Sequence, residues 1–123
     1  MDFLCFVANH GKEYAVSIPD MLGIVNEPVI TAVPGTLPAI VGMTKFRESL
    51  IAVVDMSIMF SGDSENASAM VIFAASNNFG VLVQEVNDIV RGQIPAGCEF
   101  IDVHDFERSV TTFDRSESHI ELF

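Results

Sequence analysis

The chain has 123 residues, half of them apolar, and its acids outnumber its bases 17 to 6, for a formal charge of −11. That apolar content is enough for one domain with a sizeable core, and it excludes disorder as a description of the whole. The negative field repels nucleic-acid phosphates and anionic lipid surfaces alike, which leaves protein partners with basic or mixed patches.

In chain order, the first element is a hairpin. Two apolar runs, Phe3–Val7 and Tyr14–Ile18, flank Asn9-His10-Gly11-Lys12, residues that tolerate positive φ in a tight turn. Pro19 suits the first turn of a short helix, with Asp20 near its positive end, and "PDMLGIV" allows one or two turns before Gly23 weakens it. "PVITAVP", residues 28–34, is expected as a strand bracketed by prolines, at an edge or a barrel rim. Ile40–Phe46 and Leu50–Val54 form a second hairpin, which carries Lys45 and Arg47 near its tip.

"SGDSENAS", Ser61 to Ser68, is small and polar and marks a surface connection between approximate halves 1–60 and 69–123. "AMVIFAASNNFGVLVQEV" repeats the hairpin signature around Asn77-Asn78, and "NDIVRGQIPAG" is a strand end leading into a loop. "CEFIDVHDFER" fits a strand or a short helix equally well. "SVTTFDRSESHIELF" reads as a last hairpin with its turn at Asp114–Ser116. The whole predicts an all-β single domain over residues 1–123, with short strands in one or two small barrels. Its core is drawn from Phe3, Phe6, Val16, Ile30, Ile51, Val53, Ile72, Phe73, Leu82 and Val83.

Catalytic and metal-binding patterns are sparse. His10, His104 and His119 stand apart, none near a Cys or a second His at ligand spacing, so no metal and no cofactor is expected. No GxSxG, P-loop or GxGxxG occurs, and the eight glycines are scattered singly. Carboxylates are plentiful, yet nothing marks out an acid–base pair; a small β-barrel hydrolase using paired acids is only a remote alternative. Asp55 ends an apolar run that should be buried. It either accepts backbone N–H bonds where the strand ends or is a buried titrating acid, and no partner base for the second role is visible. Cys5 and Cys98 form no CxxC pair and follow no secretory signal, and the opening "MDFLCFV" is too short for a membrane span. They read as buried reduced thiols in a cytoplasmic protein.

The order of these features carries a resemblance. "YAV", "ITAVPGTLPAIVGMTKFRE" and "LIAVVDMSIMF" are similar to the "YGI", "ITxVPxAPxxIxGVxNLRG" and "IIPVIDLRxxF" segments of the CheW family, adaptor proteins of bacterial chemotaxis. "AMVIFAASNNFGVLVQEVNDIV" resembles the second-half hairpin of the same family. The resemblance implies two small SH3-like five-stranded barrels sharing a core, with one or two short helices, and no catalysis. It implies coupling of a chemoreceptor's cytoplasmic tip to the regulatory domain of a histidine kinase. Arg47 matches the family's receptor-facing arginine, Met21 an apolar position of the same groove, and Gly42 and Asp55 structural positions. Lys45 has no family counterpart; grouped with Arg47 and Met21 as receptor-facing, it either adds to a local positive spot or merely keeps the hairpin soluble. Lys45-Phe46-Arg47-Glu48 replaces Asn-Leu-Arg-Gly, so the turn has lost its glycine and should adopt a different geometry. The alternative in the same fold is a degenerate module that binds one partner, within a larger scaffold or a non-flagellar pathway.

Overall fold

The computed structural model describes residues 1–33 and 37–113. Nine strands form two sheets. β1 (Asp2–Ala8) and β2 (Lys12–Ser17) pair antiparallel, with Phe6 opposite Tyr14. Asn9, His10 and Gly11 between them all take positive φ, at 51°, 60° and 87°. An L-residue pays for that conformation unless it is Gly or a small polar residue, so the turn forms where the sequence tolerates it. β8 (Glu85–Arg91) flanks β1, and β9 (Glu99–Ile101) runs parallel to β2, giving the sheet order β8-β1-β2-β9.

The second sheet has the order β3-β6-β7-β5-β4. Its strands are β3 (Met21–Asn26), β4 (Ile40–Phe46), β5 (Ser49–Asp55), β6 (Ala69–Phe73) and β7 (Phe79–Val83). The hairpins β4–β5 and β6–β7 are joined by a parallel pairing of β5 with β7. Each sheet therefore draws strands from both sides of the 61–68 connection. The described strands form one four-stranded and one five-stranded sheet, without a closed barrel.

Two helices complete the fold. α1 (Met56–Ser61) starts at Asp55, whose carboxylate accepts from Ser57 N at 2.8 Å, and ends at Gly62, with φ 82°. α2 (Val103–Thr112) is capped by Asp102 and buries Val103, Phe106 and Val110, one face of a helix at spacings of three and four. Phe106 stacks on Phe79 at 5.9 Å and meets Phe73 edge-on at 5.8 Å. The principal core joins Phe6, Tyr14, Val16, Val54, Met56, Val71, Phe73 and Val81 from both sheets. Burial of each large apolar side chain there contributes about 1.5–3 kcal/mol. Of the ten expected core residues eight are buried, while Ile30 and Leu82 are half-buried against a second cluster around Ile51 and Ile72.

Four expectations need correction. Helical structure after Pro19 is a single 3₁₀ turn, Ile18–Asp20, and Met21 already belongs to β3, opposite Phe73. Residues 28–33 are not a strand: they bridge β4 at one point, where Thr31 and Met43 exchange N–H···O bonds of 2.9 and 2.8 Å. Pro28 has no N–H to donate, and Thr44 Oγ1 takes the Val29 carbonyl at 2.7 Å, so side chain replaces ladder here. Ser109–Thr112 close α2 rather than open a hairpin, because the apolar positions 103, 106 and 110 outweigh β propensity; the turn expected at Asp114–Ser116 lies outside the described residues. Cys5 is buried but Cys98 is only half-buried, since it sits in the open connection before β9.

Candidate partner-binding surface

The β4–β5 hairpin closes with two residues, Arg47 and Glu48, between paired Phe46 and Ser49. The left-handed position is Arg47, with φ 57°; Glu48 is not among the positive-φ residues. Such a conformation costs an L-residue about 1–2 kcal/mol, and the surroundings explain why it holds. The five-stranded sheet curls until the tip of β4 meets β3: the Phe46 ring lies 3.4 Å from where a Gly23 Cβ would stand. Arg47 Nη2 donates to the Leu22 carbonyl at 3.4 Å, and the guanidinium lies 4.9 Å from the centroid of the Phe46 ring. This is cation–π geometry at an exposed site. The arginine is thus exposed but oriented, with further donors left for a partner's carboxylate.

Lys45 is exposed two residues earlier. It borders a groove of about 590 Å³ lined chiefly by Val25, Val29, Val33, Met43 and Leu50. Val29 is 82% and Leu50 72% exposed, an apolar pair open to solvent beside a cation. Arg47 and Met21 are not part of this groove. Met21 is half-buried and packs on the principal core, whereas its neighbour Leu22 packs with Phe46 in the second cluster. Of the three residues read as receptor-facing, Arg47 and Lys45 share the hairpin, and Met21 lies on the β3 strand that Arg47 clasps. Phe46, Leu22, Val29 and Leu50 were not singled out from the sequence. The signal for Leu50 was available: an apolar residue directly after a charged turn and Ser49.

Gly42 and Asp55 frame the hairpin from below. A Cβ on Gly42 would come 2.5 Å from the Thr31 carbonyl oxygen, so only glycine lets residues 28–33 press onto β4. Asp55 is 4% exposed, and burial raises its pKa above the usual carboxylate value, opposed by N–H donors from Ser57, Ile58 and Glu65. The Glu65 carboxylate pushes in the same upward direction as burial. Glu65 itself pairs with His10 in the β1–β2 turn, and one of its carboxylate oxygens is buried without a partner. His104 is exposed on α2, and His119 lies outside the described residues. Among the described residues no group of three or more His, Cys, Asp or Glu is arranged to hold a metal ion, and no helix is long and apolar enough to cross a membrane.

No curated protein matches the chain. Among solved structures, it is similar to the scaffolding protein TtCheW from Thermoanaerobacter tengcongensis, with a TM-score of 0.64 and 22% identity. The match covers 72% of this chain and 63% of that one, so the chain spans somewhat less than two thirds of the scaffold's length. At that identity the likeness establishes the fold. The CheW-like domain family matches residues 2–96, from β1 through β8 and leaving α2 outside. On that span, the chain belongs to the CheW-like domain family.

Proposed function

We propose that this protein is a non-catalytic adaptor in bacterial chemotaxis-type signalling, acting in the cytoplasm. In this reading residues 1–123 are one CheW-like domain with approximate halves 1–60 and 69–123, and its two sheets, each drawing strands from both halves, are the counterparts of the family's two small SH3-like barrels. It couples the cytoplasmic tip of a chemoreceptor to the regulatory domain of a histidine kinase. The observation that carries the reading is the clasped hairpin tip: an exposed arginine held by Leu22 and Phe46 at the position where the family pattern has its receptor-facing arginine. A guanidinium oriented before binding loses less freedom on meeting a carboxylate of a helical receptor tip. Lys45 adds positive charge beside it in an otherwise acidic protein, and Met21 supports the adjoining strand.

A second reading, a module that keeps only one of the two partners, is favoured by one feature. The Lys-Phe-Arg-Glu turn engages one arginine nitrogen with Leu22, so fewer donors face outward. A pull-down with a receptor tip fragment and a kinase regulatory domain separates the two. Capture of both supports the coupling adaptor, capture of one supports the single-partner module, and capture of neither contradicts both.

A further inference from the structure

The two cysteines, 93 positions apart in sequence, meet on the outer face of the four-stranded sheet. Cys5 is buried in β1, opposite Ala15 of β2. Cys98 follows a turn in which its own N–H reaches the Pro95 carbonyl at 3.1 Å, and it leads directly into β9. Phe3, Cys5 and Ala15 form a small buried cluster on which Val90, Ile94 and Cys98 pack. Both cysteines line one open cleft of about 490 Å³, with Glu13 from β2 and Glu85 and Asp88 from β8 around them. Cys98 Sγ donates to Glu13 Oε2 at 3.5 Å.

We propose that Cys5 and Cys98 are a redox-convertible dithiol, oxidised to an intramolecular disulfide by low-molecular-weight disulfides that enter this cleft. The more accessible Cys98 reacts first. Its thiolate attacks one sulfur of the reagent, the reagent's S–S bond breaks, and one thiolate leaves and takes a proton. The Cys5 thiolate then attacks Cys98 Sγ in the mixed disulfide and expels the second reagent thiolate. Two protein thiols have lost two electrons and two protons, and one reagent disulfide has become two thiols. The product ties β1 to the segment before β9 and closes a loop that spans most of the chain, which constrains the unfolded state.

The surroundings make the reaction slow and base-dependent. Burial, then the Glu13 hydrogen bond and the neighbouring Cys5, push the Cys98 thiol up to about 11. The charged groups facing it are the carboxylates of Glu13, Glu85 and Asp88, all of which disfavour a thiolate. The first step should therefore accelerate about tenfold per pH unit between pH 7 and 10, where an ordinary exposed thiol levels off near pH 9.

The test uses the full chain with excess oxidised glutathione, followed by intact mass under non-reducing conditions and a thermal melt. Wild type is expected to lose two hydrogens, retain no glutathione, and melt at a higher temperature than the reduced protein. Cys5→Ser is expected to stop at a single glutathione adduct on Cys98. Should Cys5→Ser not fold, the wild-type mass decides alone. Wild type that keeps glutathione on Cys98, or that stays unreacted through pH 10, would overturn the proposal.

Discussion

Arg47 Nη2 reaches across the curled sheet to the main-chain carbonyl of Leu22, 3.4 Å away, while its guanidinium covers the Phe46 ring. A residue at a hairpin tip is thereby tied to a strand 25 positions earlier, on the far edge of the same sheet. The tie is exposed, so its contribution to folding is small, but it decides where the charge points. Replacing Phe46 with Ala should remove the platform and the contact with Gly23. The expected loss is about 1–3 kcal/mol of stability from a half-buried aromatic, measured by urea denaturation. An unchanged denaturation midpoint would mean that the tip does not rest on β3.

Gly42 is the tightest backbone contact of the hairpin. Gly42→Ala places a Cβ 2.5 Å from a main-chain oxygen, which cannot swing away as a side-chain end would. Residues 28–33 must lift off β4, breaking the paired Thr31–Met43 bonds. The expected destabilisation is about 2–4 kcal/mol, read from the shift in denaturation midpoint at constant m-value.

Asp55 gives a pH signature of opposite sign to the common carboxylate case. Its folded pKa is raised, chiefly by burial, so the folded state binds the proton more tightly than the unfolded one. Ionisation of Asp55 therefore costs stability above its folded pKa, and the cost is relieved as pH falls through that value toward 3.8. Asp55→Asn keeps an acceptor for Ser57 N without the charge but turns its NH2 toward the remaining backbone donors, so it isolates the charge only through its pH dependence. Relative to this variant, wild type should gain stability as pH falls through the folded pKa toward 3.8. Asp55→Ala, which loses the cap, should cost about 0.5–2 kcal/mol at pH 7.

Phe106 lies beyond the family-matched span yet joins the principal core, touching Phe60, Phe73 and Phe79. Phe106→Ala should cost about 3–5 kcal/mol, as for other buried aromatics. A cost below about 1 kcal/mol, within the range of surface substitutions and small core changes, would mean that α2 is not an integral part of the domain.

What could be read in advance was local. Asn9-His10-Gly11 announces a turn because few residues accept positive φ, Asn77-Asn78 announces another because an Asn side chain can accept from a nearby backbone N–H, as Asn78 does from Ala75, and the apolar runs beside them had to be strands. The parallel pairings β5–β7 and β2–β9 join segments with no local signal, so the sheet order was not legible. Residues 28–33 have a strand's composition but fall short of a ladder: Thr31 pairs with Met43 in a single bridge, and the Val29 carbonyl accepts from a threonine side chain. In α2 the apolar spacing at 103, 106 and 110 was present, and so was an alternating pattern through 100, 101, 103 and 106; packing against three phenylalanines decided between them. Arg47 was legible as a hairpin charge, but its tie to Leu22 was not, because it depends on how far the sheet curls. The meeting of Cys5 with Cys98 was hidden for the same kind of reason.

The central claim is that Arg47 serves a partner rather than the fold, and one titration series tests it most directly. Wild type, Arg47→Ala and Arg47→Lys are titrated against a receptor tip fragment and a kinase regulatory domain, with a thermal melt of each. Arg47→Ala should change stability by no more than about 0.5 kcal/mol, as exposed substitutions do. It should weaken receptor binding by about 2 kcal/mol, roughly thirtyfold, while kinase binding stays nearly unchanged. Arg47→Lys should recover only part of the loss, since an ammonium cannot reproduce the planar fork. Equal receptor affinities across the three proteins, or a large loss of stability in the alanine variant, would contradict the account.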